Sequence, residues 1–222
     1  MIGWRTASRA CVVTGLMAAL VLPGFAFFHD RNGIGFLHGV HGRALLQVFF
    51  PLVGLYAFTF VTAQVLLATN LYWLTKLWPG ILRYHRAQGI FALLFAILHP
   101  LFILIGFSVA TFFTYHGYLR PGVAGWIIPA AVALAILLLT VSTALLAWAG
   151  RRVKWWRGVH RLNYLVFGLV WLHSWFIGTD TQTHLVRVVW VMYFALVVVS
   201  TASRYLQVKR APTDSTGPTP TW

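Results

Sequence analysis

Long apolar stretches alternate along the chain with short basic ones. Five windows, 10–28, 45–69, 87–110, 124–149 and 162–178, contain no Asp, Glu, Lys or Arg. A sixth, 185–206, carries only Arg187 near its start and Arg204 near its end, where long side chains can reach a polar interface. A bilayer core takes about 20 apolar residues per helix. The pattern therefore predicts an all-α membrane protein of six transmembrane helices. On this reading residues 1–9 are a cytoplasmic N-terminus and 10–206 one six-helix domain. Residues 207–222, rich in Pro, Thr and Ser toward the end, form a disordered cytoplasmic tail. The first window partly matches a cleavable signal, with Arg5 and Arg9 before it and Gly24-Phe25-Ala26 at its end. Its apolar run is long for a signal core, and Pro23, Phe25, Phe27 and Phe28 suit an interfacial helix end, so a retained helix is expected.

Composition strengthens this picture. Of 222 residues 59% are hydrophobic and 9% charged, against about 25% charged in a soluble domain. There are 17 Lys and Arg, three acidic residues and no Glu, which removes paired-carboxylate hydrolysis and most hard-metal sites. The single cysteine, Cys11, excludes an internal disulfide framework and a c-type haem attachment. A net charge of +14 would suit nucleic acid in a soluble protein, but the charges are sorted by side. Thirteen lie at the N-terminus, after the second and fourth spans and at the C-terminus; Arg31, Arg43, Arg120 and Arg187 lie on the other side. The positive-inside rule makes the basic side cytoplasmic, with both termini there. The partner implied is the lipid bilayer of a bacterial-type inner membrane, and no nucleic acid.

Nine histidines are many for such a chain, and an ionisable residue at membrane depth points to function. His29, His38, His41, His116 and His184 fall in outer loops or at outer helix ends. The other four are ordered. His85 opens the third span and His99 follows 14 residues later; His160 opens the fifth and His173 follows 13 later. Both spans run from inside to outside. Fourteen residues are about 21 Å of helix and return to within about 40° of the starting face. Two parallel helices with imidazoles at two matched depths can hold two haems, each iron taking one imidazole from each helix. The pairs would be His85 with His160 inside and His99 with His173 outside. Arg83, Arg86, Arg157 and Arg161 flank the inner pair as partners for haem propionates, and Phe91, Phe95 and Phe167 lie between the pairs. Thirteen steps leave His160 and His173 about 140° apart on an ideal helix, so an irregularity is expected between 158 and 173. The other reading of these histidines is a proton relay in a haem-free transporter.

Arg83-Tyr84-His85-Arg86-Ala87-Gln88-Gly89 with Leu98-His99-Pro100 resembles the third helix of the ferric reductase-like transmembrane domain. Trp155-Trp156-Arg157-Gly158-Val159-His160-Arg161-Leu162-Asn163-Tyr164 with Leu172-His173 resembles its fifth. Ferric reductases, NADPH oxidases and MsrQ, the haem subunit of a bacterial methionine sulfoxide reductase system, share that domain. The resemblance implies two b-type haems on His85, His99, His160 and His173, and electrons moving outward to ferric iron, oxygen or a periplasmic acceptor protein. Ferric reductases and NADPH oxidases usually continue into flavin and NAD(P)H domains, whereas this sequence ends about 16 residues after Leu206. Gly33-Ile34-Gly35 is no dinucleotide fingerprint, so no flavin or NAD(P)H site is expected in this chain. A cytoplasmic flavoprotein reductase or a quinol would be the donor, and the chain the haem-bearing subunit of an oxidoreductase. MsrQ also stands alone, but MsrQ-type proteins generally lack a histidine at the position of His85. A further possibility is an anchor that holds haem only to assemble a larger oxidoreductase.

Other features weigh less. Arg43, at the outer start of the second span, is a candidate for an outer propionate or a snorkelling residue, and His116 and Arg120 are similar. His38 and His41 read as solvated loop residues, as a metal-ion site, or as a place where an acceptor meets the outer haem. Trp73, Trp78, Trp126, Trp148, Trp155, Trp156 and Trp175 read as an interfacial aromatic belt.

Overall fold

The computed structural model describes residues 2–114, 121–151 and 154–210. His116, Arg120, Arg152 and the tail from 211 onward lie outside the described residues. The elements in order are α1 (Ile2–His29), α2 (Arg43–Leu77), α3 (Ile81–Phe107), the short α4 (Val109–Phe113), α5 (Ala124–Trp148), the short α6 (Trp156–His160), α7 (Asn163–Ile177) and α8 (His184–Arg210). Single 3-10 turns fall at Gly35–Leu37 and Asp180–Gln182. Among the described residues there is no strand. α8 continues to Arg210, past the boundary at 206.

Local chemistry sets the ends. α2 stops where Trp78 precedes Pro79, and Trp78 takes the extended conformation that a following proline imposes. α5 ends in a Schellman turn. The Arg151 N–H donates to Leu146 O and the Gly150 N–H to Ala147 O, and Gly150 supplies the positive φ of +78°.

Five helical stretches are long and apolar enough to cross a bilayer: Thr6–His29, Arg43–Leu77, Ile81–Phe107, Ala124–Trp148 and His184–Gln207. The sixth expected span, 162–178, is different. Its helix α7 has 15 residues, about 22 Å, short of a core about 30 Å thick. The helical path breaks at Arg161 and Leu162, and α6 lies on the far side of the break. The outward surfaces are apolar: Val21, Phe25, Ile105, Ile128, Leu146 and Val199 are all exposed. Helices apolar on all sides belong in lipid, and the chain is a multi-pass membrane protein.

α2 is the central helix and packs against α1, α3, α7 and α8; α5 packs against α3, α6 and α7. Phe58, fully buried, stacks on Phe167 at 5.3 Å and meets Trp190 at 4.5 Å, joining α2, α7 and α8. Polar contacts tie the two ends. Arg9 Nε donates to Leu77 O at 2.5 Å and Asn70 Nδ2 to Ser200 Oγ at 2.7 Å at the basic end. At the opposite end Gln47 Nε2 donates to Gly106 O at 2.7 Å, and Arg31 pairs with Asp180. Arg9, Lys76, Arg83, Arg86, Arg151, Lys154, Arg157, Arg161 and Arg204 all lie near helix ends at the first of these two ends.

Candidate functional site

α3 carries His85 and His99, α6 ends on His160 and α7 carries His173; α3 and α7 each pack against α2 on one side and α5 on the other. That arrangement leaves space between them. A cavity of about 760 Å³ opens there, walled by apolar residues such as Leu55, Phe58, Ala133 and Leu137. His99 and His173 both face it. The volume lies within the usual range for small-molecule and cofactor sites, roughly 300–1,000 Å³.

Both rings are fixed in the same way. His99 Nδ1 lies 2.8 Å from Phe50 O on α2, and His173 Nδ1 lies 2.8 Å from Trp126 O on α5. A carbonyl oxygen only accepts, so each Nδ1 carries the proton and donates. In the neutral ring Nε2 is then left with its lone pair. This is the arrangement of metal-ligating histidines, whose second nitrogen is held by a backbone carbonyl or carboxylate. Gly54 lets α2 come this close, because a Cβ there would lie 2.8 Å from both Cε1 and Nδ1 of His99.

The second pair lies at the basic end. The rings of His85 on α3 and His160 on α6 have centroids 6.1 Å apart and an interplanar angle of 79°. Two imidazoles on opposite sides of one metal, each about 2.0–2.1 Å from it, have centroids about 6.4 Å apart. His85 Nδ1 is buried with no hydrogen-bond partner, and so is Oε1 of Gln88, three residues further along α3. Gln64 Nε2 donates to His85 O at 2.6 Å and ties this turn to α2. Among the described residues no three His, Cys, Asp or Glu side chains come together, so the structure offers imidazole pairs rather than a protein-walled metal cage.

The expected irregularity falls between His160 and His173. Arg161 N is shared between Arg157 O at 3.3 Å and Gly158 O at 3.2 Å, Leu162 N bonds three residues back to Val159 O, and Tyr164 N bonds to Arg161 O. Such 3-10 bonding turns the chain about 20° further per residue than an α-helix. The extra rotation narrows the 140° gap between the two rings.

The basic candidates are placed less uniformly. Arg86 and Arg161 are exposed beside His85 and His160, with the Arg86 guanidinium 5.5 Å from the Trp148 ring. Arg43 is the exposed first residue of α2 and is not on the cavity wall. The charged group that does line the cavity is Asp180. Its partner Arg31 also donates to Phe27 O at 3.3 Å and lies 3.8 Å over the Phe27 ring. Burial raises the Asp180 carboxyl above its ordinary value, with the Arg31 charge opposing. Burial also works upward on Asp30, but hydrogen bonds from Thr183, His29 and the Val186 N–H hold it lower.

The phenylalanines expected between the pairs do something else. Phe91 is exposed and lies about 120° around α3 from His85. Phe95 turns to Phe60 and Tyr56 on α2, and Phe167 stacks on Phe58. Phe58, Leu137 and Val166 take the inner wall of the cavity instead. The Phe50 and Trp126 carbonyls, Gly54 and the Arg31–Asp180 pair escaped the sequence, because each acts through a fold contact rather than a motif.

A comparison with curated proteins and one with solved structures each found no match. The family model described as the ferric reductase like transmembrane component matches residues 53–171. That stretch holds His85, His99 and His160 and most of the cavity wall, ends two residues before His173, and covers more than half of the sequence. The chain belongs to the family of the ferric reductase like transmembrane component.

Proposed function

We propose that this chain carries electrons across a bacterial-type inner membrane through two b-type haems. His85 and His160 would hold the inner haem, and His99 and His173 the outer one. Membership of a ferric reductase-like transmembrane family supports electron transfer across the membrane. The observation that carries the haem assignment is the common state of His99 and His173. Both are half-buried, both have Nδ1 held by a carbonyl, and both face one cavity. Haem supplies an iron that gains and loses one electron at a potential set by its ligands and surroundings. The residues do the rest. The imidazoles fix position, the apolar wall excludes water, and Arg86 and Arg161 offer charge to inner propionates. Arg43 is the corresponding outer candidate. The two depths are about 21 Å apart along α3, which divides the membrane into two shorter steps.

The basic end would face the cytoplasm, with both termini there. A flavoprotein reductase or a quinol would supply electrons to the inner haem. The outer haem would pass them to ferric iron, oxygen or a periplasmic acceptor protein. The chain would thus be the haem-bearing membrane subunit of an oxidoreductase.

The test is a reduced-minus-oxidised visible spectrum of the purified chain, with haem counted per polypeptide. Two low-spin b-type haems are expected, with His85→Ala and His99→Ala each removing about one. A chain without haem after haem-replete expression would overturn the proposal and leave the histidines to be tested as a proton path.

A further inference from the structure

Three of the four histidines have a partner at Nδ1, and one of those partners is a side chain. Asn163, the first residue of α7, faces His160 Nδ1 at 3.4 Å across the break between α6 and α7. On its other side the carboxamide lies 3.0 Å from Thr140 Oγ1 on α5. Thr140 is fully buried, and its hydroxyl also lies 3.0 Å from Leu137 O. An Asn at a helix start usually caps its own helix, but α7 has no side-chain cap, so the carboxamide is committed to this link.

Ligation through Nε2, which the proposed function requires of His160, selects the direction of the chain of bonds. A hydroxyl has one proton and cannot donate both to Leu137 O and to the carboxamide oxygen. With Nδ2 toward His160 the amide would also donate to Nδ1, which would place the ring proton on Nε2. A half-turn of the carboxamide removes both conflicts. The Thr140 hydroxyl then donates to Leu137 O, Asn163 Nδ2 donates to Thr140 Oγ1, and His160 Nδ1–H donates to Asn163 Oδ1. Each of the three bonds then has one donor and one acceptor, and His160 is left with its Nε2 lone pair, as His99 and His173 are.

We infer that Asn163, anchored by Thr140, is the positioning residue that sets the tautomer of His160 and tunes the inner site. This rests on the haem reading above. The outer pair is held by backbone carbonyls, which side-chain substitution cannot remove. The inner pair is held by one replaceable side chain at His160 and by no partner at His85. An acceptor at Nδ1 makes the imidazole a better donor to iron and favours the ferric form. The inner haem is therefore the one whose potential this sequence adjusts through side chains.

The experiment is a potentiometric titration of the two haems in the purified full chain, for wild type and Asn163→Leu, Asn163→Asp, Thr140→Val and Thr140→Ser. Removing the acceptor in Asn163→Leu should raise the inner potential and leave the outer one in place. A tenfold loss of preference for the ferric form reads as a rise of about 59 mV. Thr140→Val should move it the same way by less, and Thr140→Ser should restore the wild-type value. Asn163→Asp, a stronger acceptor, should lower it. If Asn163→Leu does not assemble, the Thr140 pair and Asn163→Asp still decide the matter. Two haems in the wild type with an inner potential indifferent to all four changes would overturn this inference and leave the haem reading standing. Equal movement of both haems would also overturn it. A wild type without haem would sink the haem reading and this inference with it.

Discussion

Gly54→Ala sets local preference against the site. Gly54 lies inside α2, and alanine is favoured over glycine in a helix interior by about 0.8–1.0 kcal/mol. From the helix alone the substitution should stabilise. The fold says otherwise, because the new methyl group would sit 2.8 Å from Cε1 and Nδ1 of His99 and 3.4 Å from Cγ. Carbon contacts are comfortable at about 3.5–4.0 Å, so the ring must retreat by roughly 0.7 Å or more. It cannot do so freely. Its Nδ1 donates to Phe50 O at 2.8 Å, and Phe50 lies one turn before Gly54 on the same helix. A retreat from one stretches the bond to the other to about 3.5 Å, where little hydrogen bonding is left.

A buried donor left without its acceptor costs about 1–3 kcal/mol, and overpacking costs about 1–3 kcal/mol more. After the propensity gain, a net loss of about 1–5 kcal/mol remains. His99 Nε2 also turns away from the cavity, so on the proposed function the outer haem should be lost or change its spectrum while the inner one is kept. Haem per chain and thermal unfolding in detergent check this together. Equal or greater thermal stability with an unaltered outer site would refute the argument, and would mean that His99 is not held between Gly54 and Phe50.

Other perturbations read other parts of the molecule. Arg31→Met leaves Asp180 buried without its cation and should cost about 3–5 kcal/mol near pH 7. Burial already holds the Asp180 carboxyl above its ordinary value, so the folded chain binds that proton more tightly than the unfolded one. Stability from this group is therefore full below pH 3.8 and lost as pH rises through the raised value. The variant should melt close to wild type near pH 4 and well below it at pH 7; equal losses at both would count against this account. Ser174→Ala removes the acceptor of the Trp190 indole N–H, now 2.6 Å away, and should cost about 1–3 kcal/mol in a melt followed by tryptophan fluorescence. In a Cys11→Ser background, a membrane-impermeant maleimide added to intact cells should label His38→Cys and spare Lys154→Cys. The reverse pattern would invert the proposed orientation.

The sequence makes the lipid-facing architecture plain because the signal is repeated. Uncharged windows about 20 residues long and sorted basic loops say the same thing several times over. The histidine order is legible for a similar reason, since spacings of 14 and 13 recur on two spans of one direction. What holds those rings is not legible in that way. The acceptors for His99 and His173 are backbone carbonyls of Phe50 and Trp126, 49 and 47 residues away, and every residue has such a carbonyl. Gly54 matters only because a particular ring lies against it. The partnership of Arg31 with Asp180 needs α1 to end beside the start of α8. Asn163 is the exception. An Asn three residues after His160, inside an apolar span, is a local signal, and its spacing places it within reach of that ring.

The break at Arg161 and Leu162 links the 13-residue spacing of His160 and His173 to the helix that falls short of a full span. A straight helix from 156 to 177 would have been long enough to cross on its own, but would have turned His160 and His173 about 140° apart. The chain gives up that continuity. It keeps a 15-residue α7 for His173 and uses a tighter turn to swing His160 toward His85. A broken helix in lipid must satisfy the polar groups it frees, and here the i→i−3 bonds do so for the backbone. The Thr140–Asn163 link adds a side-chain brace across the same point from α5. The break therefore sits where the site needs a change of direction, and it is supported by the one polar contact that also reaches the ring.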